Sequence, residues 1–254
     1  MKTNLKILIT LIVVLFAASA CIPRLVPRTT PEPDADSSAS DTPVTEEQDL
    51  QAFTEIDIEG AGVIYLVQGS GHSIVIDGTQ HVLNRISYEV RNNVLIVDYE
   101  SHFLDWPSVN DYPTITITFE ELDHFKFQGG GEIIADGIDS DSLDIDIQGG
   151  IRFDLTDLSA ATFDLTAEGG AAIAVSGRAQ TQKVKLAGGS SYEAEDLQSS
   201  NVAIKADGGI SIVVWATETL NLDLTGAYNV KYYGNPSVTQ NVQGIGNIED
   251  LGEK

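Results

Sequence analysis

From Phe53 onward the chain consists of short runs in which apolar, often β-branched residues alternate with polar ones. Gly, Asn and Asp separate these runs, which include 56–58, 63–67, 74–76, 94–97 and 115–118. Alternation with a period of two is typical of β-strands that bury one face. The nearest candidate for a helix is segment 79–91, and its pattern still favours a strand over a capped amphipathic helix. The pattern therefore predicts an all-β protein.

Glycine pairs recur through the second half of the chain. They lie at Gly129-Gly130, Gly149-Gly150, Gly169-Gly170, Gly188-Gly189 and Gly208-Gly209, followed by Gly226-Ala227 and Gly244-Ile245. The spacing is about 20 residues and falls to 18 at the end. A repeat of this length is typical of one coil of a parallel β-helix, in which each coil buries its apolar face against the next.

Aligning the chain on its glycine pairs predicts which side chains face the interior, because residues alternate between the two faces of a strand. Before the glycines, the predicted interior residues are Phe125, Phe127, Ile145, Ile147, Leu165, Ala167, Val184, Leu186, Ile204, Ala206, Leu222 and Leu224. After the glycines, they are Ile133, Ala135, Phe153, Leu155, Ile173, Val175, Tyr192, Ala194, Ile212, Val214, Val230 and Tyr232. The outward columns predict the cross-strand ion pairs Lys126–Asp146, Asp164–Lys183 and Lys205–Asp223.

These observations predict a right-handed parallel β-helix (a β-solenoid) of about seven coils, with an antiparallel or irregular N-terminal β portion as its cap. The right hand follows from the usual handedness of parallel crossovers. The glycine pairs are assigned to tight corners or bulges, which glycine tolerates well. A phosphate-binding loop is disfavoured, because no glycine motif of that kind opens a helix.

The N-terminal residues predict export and lipid anchoring. Residues 1–20 have two lysines, a short apolar stretch and then small residues, as in a cleaved signal peptide. Cys21, the single cysteine, follows directly, and segment 15–21 resembles a bacterial lipobox. Two acyl chains on this cysteine would hold the protein at a membrane, facing the cell surface or the periplasm. Residues 21–50, rich in Pro, Ser, Thr and Asp, predict an extended linker before a domain at 51–254.

The formal net charge of −24 narrows the choice of partners. Removal of residues 1–20 would make the chain more acidic still, because it removes lysines and no acidic residue. Nucleic acid and anionic lipid headgroups are poor partners for such a surface. After the signal segment, no stretch is long and apolar enough to cross a membrane.

The layout resembles the head GIN domain family of auto-transporter adhesins, over about 200 residues from Phe53. The likeness rests on the lead-in strands at 53–60 and 63–69, strands 94–97 and 115–118 around a loop, and glycine-punctuated coils ending in 232–236 and 244–248. Members of the family usually have Gly-Ser-Gly at the corners of the coils, whereas most corners of this chain have Gly-Gly. The resemblance implies a right-handed β-helix shaped like the pectin lyases but without their catalytic residues. It also implies a role in adhesion, and it carries no binding residue over.

Candidate catalytic and metal-binding groups are sparse. His124 beside Asp144 is read as a solvated surface pair, because such pairs are common and weak. A polysaccharide-cleaving site would need clustered basic and acidic groups, for which Lys126, Arg152 and Asp154 are the nearest candidates. The acidic residues at 136–157 lack the ligand spacing of a calcium site and are read as solvated coil edges. We therefore predict no catalytic residue, no metal and no cofactor.

Aromatic and apolar residues on outward positions suggest contact surfaces. The loop 102–112 carries Phe103, Trp106 and Tyr112, which could bind a glycan or a protein, or could cap the first coil. Val213 and Trp215 also fall on the outward parity. The sequence thus predicts a non-catalytic envelope binding or adhesion module of unknown ligand, anchored through Cys21. A self-associating envelope scaffold and a polysaccharide-active enzyme remain the alternatives.

Overall fold

The computed structural model describes residues 42–99 and 112–254. Within these residues the protein is almost entirely β-structure. The elements are β1 (Pro43–Asp49), β2 (Glu55–Gln68), β3 (Ser73–Thr79), α1 (Gln80–Leu83), β4 (Ile86–Arg91), β5 (Val94–Tyr99), β6 (Thr114–Phe119), β7 (His124–Asp136), β8 (Asp139–Tyr233) and β9 (Ser237–Asp250). The prediction of an all-β protein is confirmed.

A parallel ladder forms the largest part of the sheet. Strand β2 pairs in parallel with β7, and β7 with the start of β8, so that Gly60, Gly129 and Gly149 lie in one row. Strand β8 runs over 95 residues, and its end pairs in parallel with β9, with Gly226 opposite Gly244. The whole sheet runs in the order β1-β3-β6-β2-β7-β8-β9 and is open, because β1 and β9 lie at its opposite edges.

The side chains that the glycine alignment predicts to face inward form the core. Ile145, Leu165, Val184 and Ile204 are all buried, as are the predicted residues on the other side of the glycines from Ile133 to Val230. Tyr232 differs, because it is only half-buried and packs at the margin of the core. It lies opposite Asp250 of β9, and burial followed by the Asp250 charge raises the pKa of its hydroxyl.

Antiparallel strands cover the N-terminal end of the ladder. Strand β3 lies antiparallel between β1 and β6, and β4 lies antiparallel to β5. Strands β5 and β6 both pair with β2, so they close the side of β2 that faces away from β7. The sequence predicts an antiparallel or irregular N-terminal β portion, and the structure has antiparallel pairs there, although β5 and β6 join β2 in parallel.

Two segments in this portion differ from the sequence-based expectation. Strand β1 falls in the last residues of the predicted linker, and it joins the sheet through backbone pairing with β3 while nearly all its side chains stay exposed. Segment 79–91 holds a single helical turn, α1, before strand β4. Thr79 caps that turn, since its Oγ1 accepts a hydrogen bond of 3.3 Å from the Val82 amide.

Candidate binding surface

The first glycine of each pair is required by the backbone. Gly149, Gly169, Gly188 and Gly208 all have φ between +108° and +133°, a region that other residues rarely adopt. A Cβ at any of these positions would also meet the carbonyl oxygen of the glycine in the preceding repeat. The widest gap in this group, at Gly169, is only 2.5 Å to the Gly149 oxygen. Successive repeats therefore approach each other at this row as closely as bare backbone allows.

The second glycine of each pair is not required in this way. None of these residues has a positive φ. A Cβ added at Gly150, Gly189 or Gly209 would meet no atom within 4 Å. The chain itself places larger residues in the same row, since Ala61 lies opposite Gly130 and Ala227 lies opposite Ile245. The central glycines of this row thus leave backbone uncovered where a side chain would fit.

The second glycines of three successive repeats lie in a shallow, open groove of about 790 Å³. Gly170, Gly189 and Gly209 line it together with the small residues two places after each of them, which are Ala172, Ser191 and Ser211. Tyr228, Asn229 and Ile245 line its C-terminal end, and Ile245 is 85% exposed. Repeats lie about 4.8 Å apart, so the bare row from Gly130 to Gly209 is roughly 20 Å long.

Every residue that lines the groove is uncharged, although the chain carries 38 acidic residues. Ser190 lies on the same lining but is only 5% exposed. Its Oγ has no hydrogen-bond partner among the described residues. A buried hydroxyl without a partner is unfavourable by roughly 1–3 kcal/mol. Because its lining is uncharged, the groove is a neutral strip of small side chains and open backbone on a strongly acidic protein.

A second cluster joins one histidine and two carboxylates on an outward face of β7 and β8. His124, Asp144 and Asp146 offer ligand atoms that all lie within 4.8 Å of one another. His124 lies directly opposite Asp144, as the sequence predicts, and its Nε2 is 3.3 Å from Asp146 Oδ2. Partial burial, followed by the nearby Asp146 charge, raises the pKa of Asp144. The cluster is a weaker candidate than the groove, because its histidine is already paired and because exposed acidic groups commonly gather without an ion.

The basic groups considered for polysaccharide cleavage are engaged in separate ion pairs. Lys126 Nζ donates to Asp57 Oδ2 at 2.7 Å instead of pairing with Asp146 as predicted. The predicted pair Asp164–Lys183 does form, at 3.3 Å. The predicted pair Lys205–Asp223 is absent among the described residues, and Asp223 Oδ1 instead accepts a hydrogen bond of 2.9 Å from Asn241 Nδ2. Arg152 Nε lies 2.8 Å from Asp154 and 3.3 Å from Glu132. Lys126 and Arg152 therefore serve different carboxylates and do not converge on one site.

The comparisons with known proteins identify the family. The model of the family described as "Putative auto-transporter adhesin, head GIN domain" matches residues 52–236. The chain belongs to this family. Membership relates it to adhesins, which are proteins of the cell surface or envelope, and the resemblance inferred from the sequence is confirmed. No curated protein matches the chain.

Solved structures share the fold of this head GIN domain. A putative adhesin from Bacteroides fragilis matches with a TM-score of 0.76 and 24% identity, over 84% of this chain and 99% of that one. A putative adhesin from Parabacteroides merdae matches with a TM-score of 0.63 and 17% identity, over 82% and 96%. A putative lipid binding protein from Parabacteroides distasonis matches with a TM-score of 0.63 and 18% identity, also over 82% and 96%.

The contact residues predicted from the sequence fall in several places. Cys21, Phe103 and Trp106 lie outside the described residues, and Tyr112 is half-buried. Val213 and Trp215 are half-buried on β8, and the Lys254 ammonium lies 5.4 Å from the centre of the Trp215 ring. Lys254 therefore covers part of the predicted patch. Among residues 42–99 and 112–254, no helix is long and apolar enough to span a membrane.

The groove itself was not predicted from the sequence. From the sequence, both glycines of each pair are assigned to structural corners. The sequence does contain a sign of the groove. When the repeats are aligned, Ala61, Ala227 and Ile245 occupy the same row as the second glycine of each pair. Residues that replace one another in a repeat mark positions where the backbone does not demand glycine.

Proposed function

We propose that this head GIN domain is a non-catalytic binding module of the bacterial cell envelope, and that the glycine groove is its binding surface. The proposal rests on the second glycine row. A strip of backbone stays uncovered there, although neither φ nor steric crowding requires glycine at these positions. Ligand binding supplies a reason for glycine, since a bare strip lets a partner approach the main chain closely. The adhesin family to which the chain belongs supports the same direction.

A right-handed parallel β-helix is the architecture that best accounts for the ladder. Successive repeats pair in parallel without a change of register, as with Phe125 opposite Ile145 and Gly129 opposite Gly149. Each repeat must return to its starting side before it can pair in parallel with the next. Parallel crossovers are nearly always right-handed, so we propose that the repeats wind as right-handed coils.

A neutral glycan chain is the ligand class that fits the groove best. The lining is uncharged, so it offers no counter-charge to an anionic or cationic polymer. Serine hydroxyls and exposed peptide groups can exchange hydrogen bonds with sugar hydroxyls, and the Tyr228 ring can stack on a sugar face. The groove is open along its length, whereas an acyl chain is usually held in an enclosed apolar cavity.

The binding test compares one groove variant with one matched variant elsewhere. The full chain, solubilised in a nonionic detergent, is applied to an array of neutral and acidic polysaccharides. We expect the native protein to bind neutral glycans and Gly189→Phe to lose at least about tenfold in affinity, because the ring fills the bare strip. Asn221→Phe puts the same ring on an exposed position of β8 outside the groove, and it should bind normally.

Two outcomes would reject this assignment. If the native protein binds no neutral glycan, the proposed ligand class is wrong. If Gly189→Phe binds as well as Asn221→Phe, the groove is not the binding site. Trp106→Ala separates the loop from the groove, because loss of binding in that variant alone would move the binding surface to loop 102–112.

Anchoring through Cys21 completes the proposed function. The signal-like segment and the lone cysteine support acylation at this residue. Cells fed a labelled fatty acid should incorporate the label into the native chain and not into Cys21→Ser. The native chain should also sediment with membranes, whereas Cys21→Ser should be released. A labelled Cys21→Ser chain would exclude this anchor.

A further inference from the structure

In the part of the chain that the structure describes, nothing pairs with the outer edge of strand β9. Strand β9 stands at one end of the strand order, with β8 as its partner on one side. Within residues 42–99 and 112–254 no strand pairs with its other side. All 14 residues of β9 are exposed except Ile248, which is half-buried. A long strand with a free row of amide and carbonyl groups is a ready template for pairing with another chain.

The apolar interior of the ladder opens at the same edge. Leu220 and Leu224 are fully buried in β8, whereas Val238 and Val242, which lie opposite them in β9, are 37% and 40% exposed. Terminal repeats of stacked β-structures need a cover for this surface. The edge thus combines unpaired backbone groups with exposed aliphatic side chains.

The opposite end of the ladder is closed. Strands β5 and β6 both pair with β2, and β3, β4 and β1 pair beyond them. Ile58 and Ile64 of β2 are accordingly 2% and 1% exposed. Strands β1 and β4 are also edge strands, but they are seven and six residues long and both carry charged side chains, which disfavour pairing. Strand β9 is thus the one long edge among the described strands with an uncharged stretch of 12 residues. Pairing of β9 with itself gives a closed pair, whereas growth into a filament needs two complementary ends.

The residues after β9 do not cover its edge. Leu251 N donates to Tyr232 O at 2.9 Å, so the chain still follows the preceding repeat at this point. Lys254 Nζ then donates to Glu195 O at 2.6 Å and reaches Asp196, and it lies 5.3 Å from the Tyr233 ring centre. The last residues therefore turn back along the side of earlier repeats.

The charge pattern of β9 suits a second copy of the chain. Residues 237–248 carry no charge, whereas natural edge strands are commonly protected by lysine or other charges. The only charged residues of β9 are Glu249 and Asp250, at its C-terminal end. In an antiparallel pair, these carboxylates would lie opposite the uncharged start of the partner's β9. In a parallel pair, they would face the same carboxylates and repel them.

We propose that β9 binds β9 of a second copy, antiparallel and about a two-fold axis near Gly244. Such a pair places Val238 and Val242 of both copies toward the joined interiors. Fourteen residues in antiparallel register supply on the order of ten backbone hydrogen bonds, which matches a typical stable interface. The resulting dimer buries the open ends of both ladders. It also brings the C-terminal ends of the two grooves together, because Ile245, which lines the groove, lies next to the proposed axis.

The first test is the oligomeric state of the full chain carrying Cys21→Ser, which cannot be acylated and needs no detergent. Sedimentation velocity up to about 100 μM should give a dimer, and would detect a Kd of that order. Gln240→Lys with Val242→Lys places charges on the exposed edge and should raise the Kd at least about tenfold. The matched control Ala161→Lys, on an exposed position of β8 several repeats away from β9, should leave the dimer unchanged.

Circular dichroism and thermal unfolding of each variant establish that the fold is retained, so a lost dimer reports on the edge. A native chain that stays monomeric at every concentration would overturn the proposal. So would a dimer that withstands both edge lysines, or association that continues past two copies.

The second test uses single cysteines in the Cys21→Ser background, where no other thiol is present. Gln243→Cys lies near the proposed axis and should form a disulfide-linked dimer under mild oxidation. Ser237→Cys should not link to itself, because its two copies would lie roughly 40 Å apart, but it should link to Asp250→Cys in a mixture. Self-linking at Ser237→Cys without linking at Gln243→Cys would show a parallel arrangement and reject the antiparallel pair.

Discussion

The two rows formed by the glycine pairs run side by side along the ladder, but they differ in what they require. In the first row, φ is positive and the carbonyl oxygen of the preceding repeat occupies the space of a side chain. In the second row, φ is ordinary and the space is open at Gly150, Gly189 and Gly209. Identical letters in a repeat can therefore have different causes. Glycine holds the repeats together in one row and keeps a surface bare in the other.

The largest effect is expected where both constraints of the first row act together. Gly149→Ala combines a φ of +129° with overlap between the new Cβ and the Gly129 carbonyl oxygen. Since backbone on both sides must shift, we expect a loss of about 3 kcal/mol or more in the free energy of unfolding, or failure to fold. Urea unfolding followed by circular dichroism measures this. A loss below about 1 kcal/mol would break the distinction between the rows.

A smaller effect within the first row would sharpen the comparison. Gly169→Ala places the Cβ 2.5 Å from the Gly149 oxygen, the widest gap among the central glycines of this row. Its φ of +115° keeps the backbone cost. We expect a loss of about 2 kcal/mol, clearly less than for Gly149→Ala. Equal losses in the same urea experiment would show that crowding contributes nothing and that φ alone sets the cost.

Gly137 isolates the backbone cost. Its φ is +70°, and a Cβ there would meet no atom within 4 Å. Gly137→Ala should therefore lose only about 1 kcal/mol, the cost of holding alanine in the left-handed region. The midpoint of thermal unfolding should fall by a few degrees. A loss as large as that of Gly149→Ala would mean that the space at Gly137 is not open.

The smallest effect is expected in the second row. Gly189→Ala meets neither constraint, so its free energy of unfolding should stay within about 0.5 kcal/mol of the native value. A gain of up to about 1 kcal/mol is also consistent, because alanine reduces the freedom of the unfolded chain. Urea unfolding of Gly188→Ala and Gly189→Ala side by side compares two adjacent positions that differ in both constraints. A clear loss at Gly189 would assign the second row a structural role and weaken the proposed groove.

Much of the fold could be predicted because the signals are local and repeated. Leu165 and Val184 were placed in the interior from alternation and spacing alone, and both are 1% exposed. What alternation does not specify is which strand lies beside which. Lys126 pairs with Asp57 because β2 precedes β7 in the sheet, and nothing near Lys126 in the sequence indicates this neighbour.

The sequence pattern predicts neither strand β1 nor the groove, for two different physical reasons. Strand β1 is held by backbone hydrogen bonds while its side chains stay in solvent, so it lacks the apolar signature of a buried strand. The groove depends on φ at neighbouring glycines, which the residue type does not reveal. The position of Lys254 beside Trp215 depends on a contact between distant parts of the chain.

The contact between Lys254 and Trp215 makes Trp215 an intrinsic fluorescence probe. The chain has two tryptophans, and the ammonium of Lys254 lies over the Trp215 ring while the same side chain holds Asp196. Indole emission responds to a nearby charge, so release of the last residues should change the fluorescence of Trp215 before the interior opens. Fraying of this end can thus be followed in the native protein without attaching a dye.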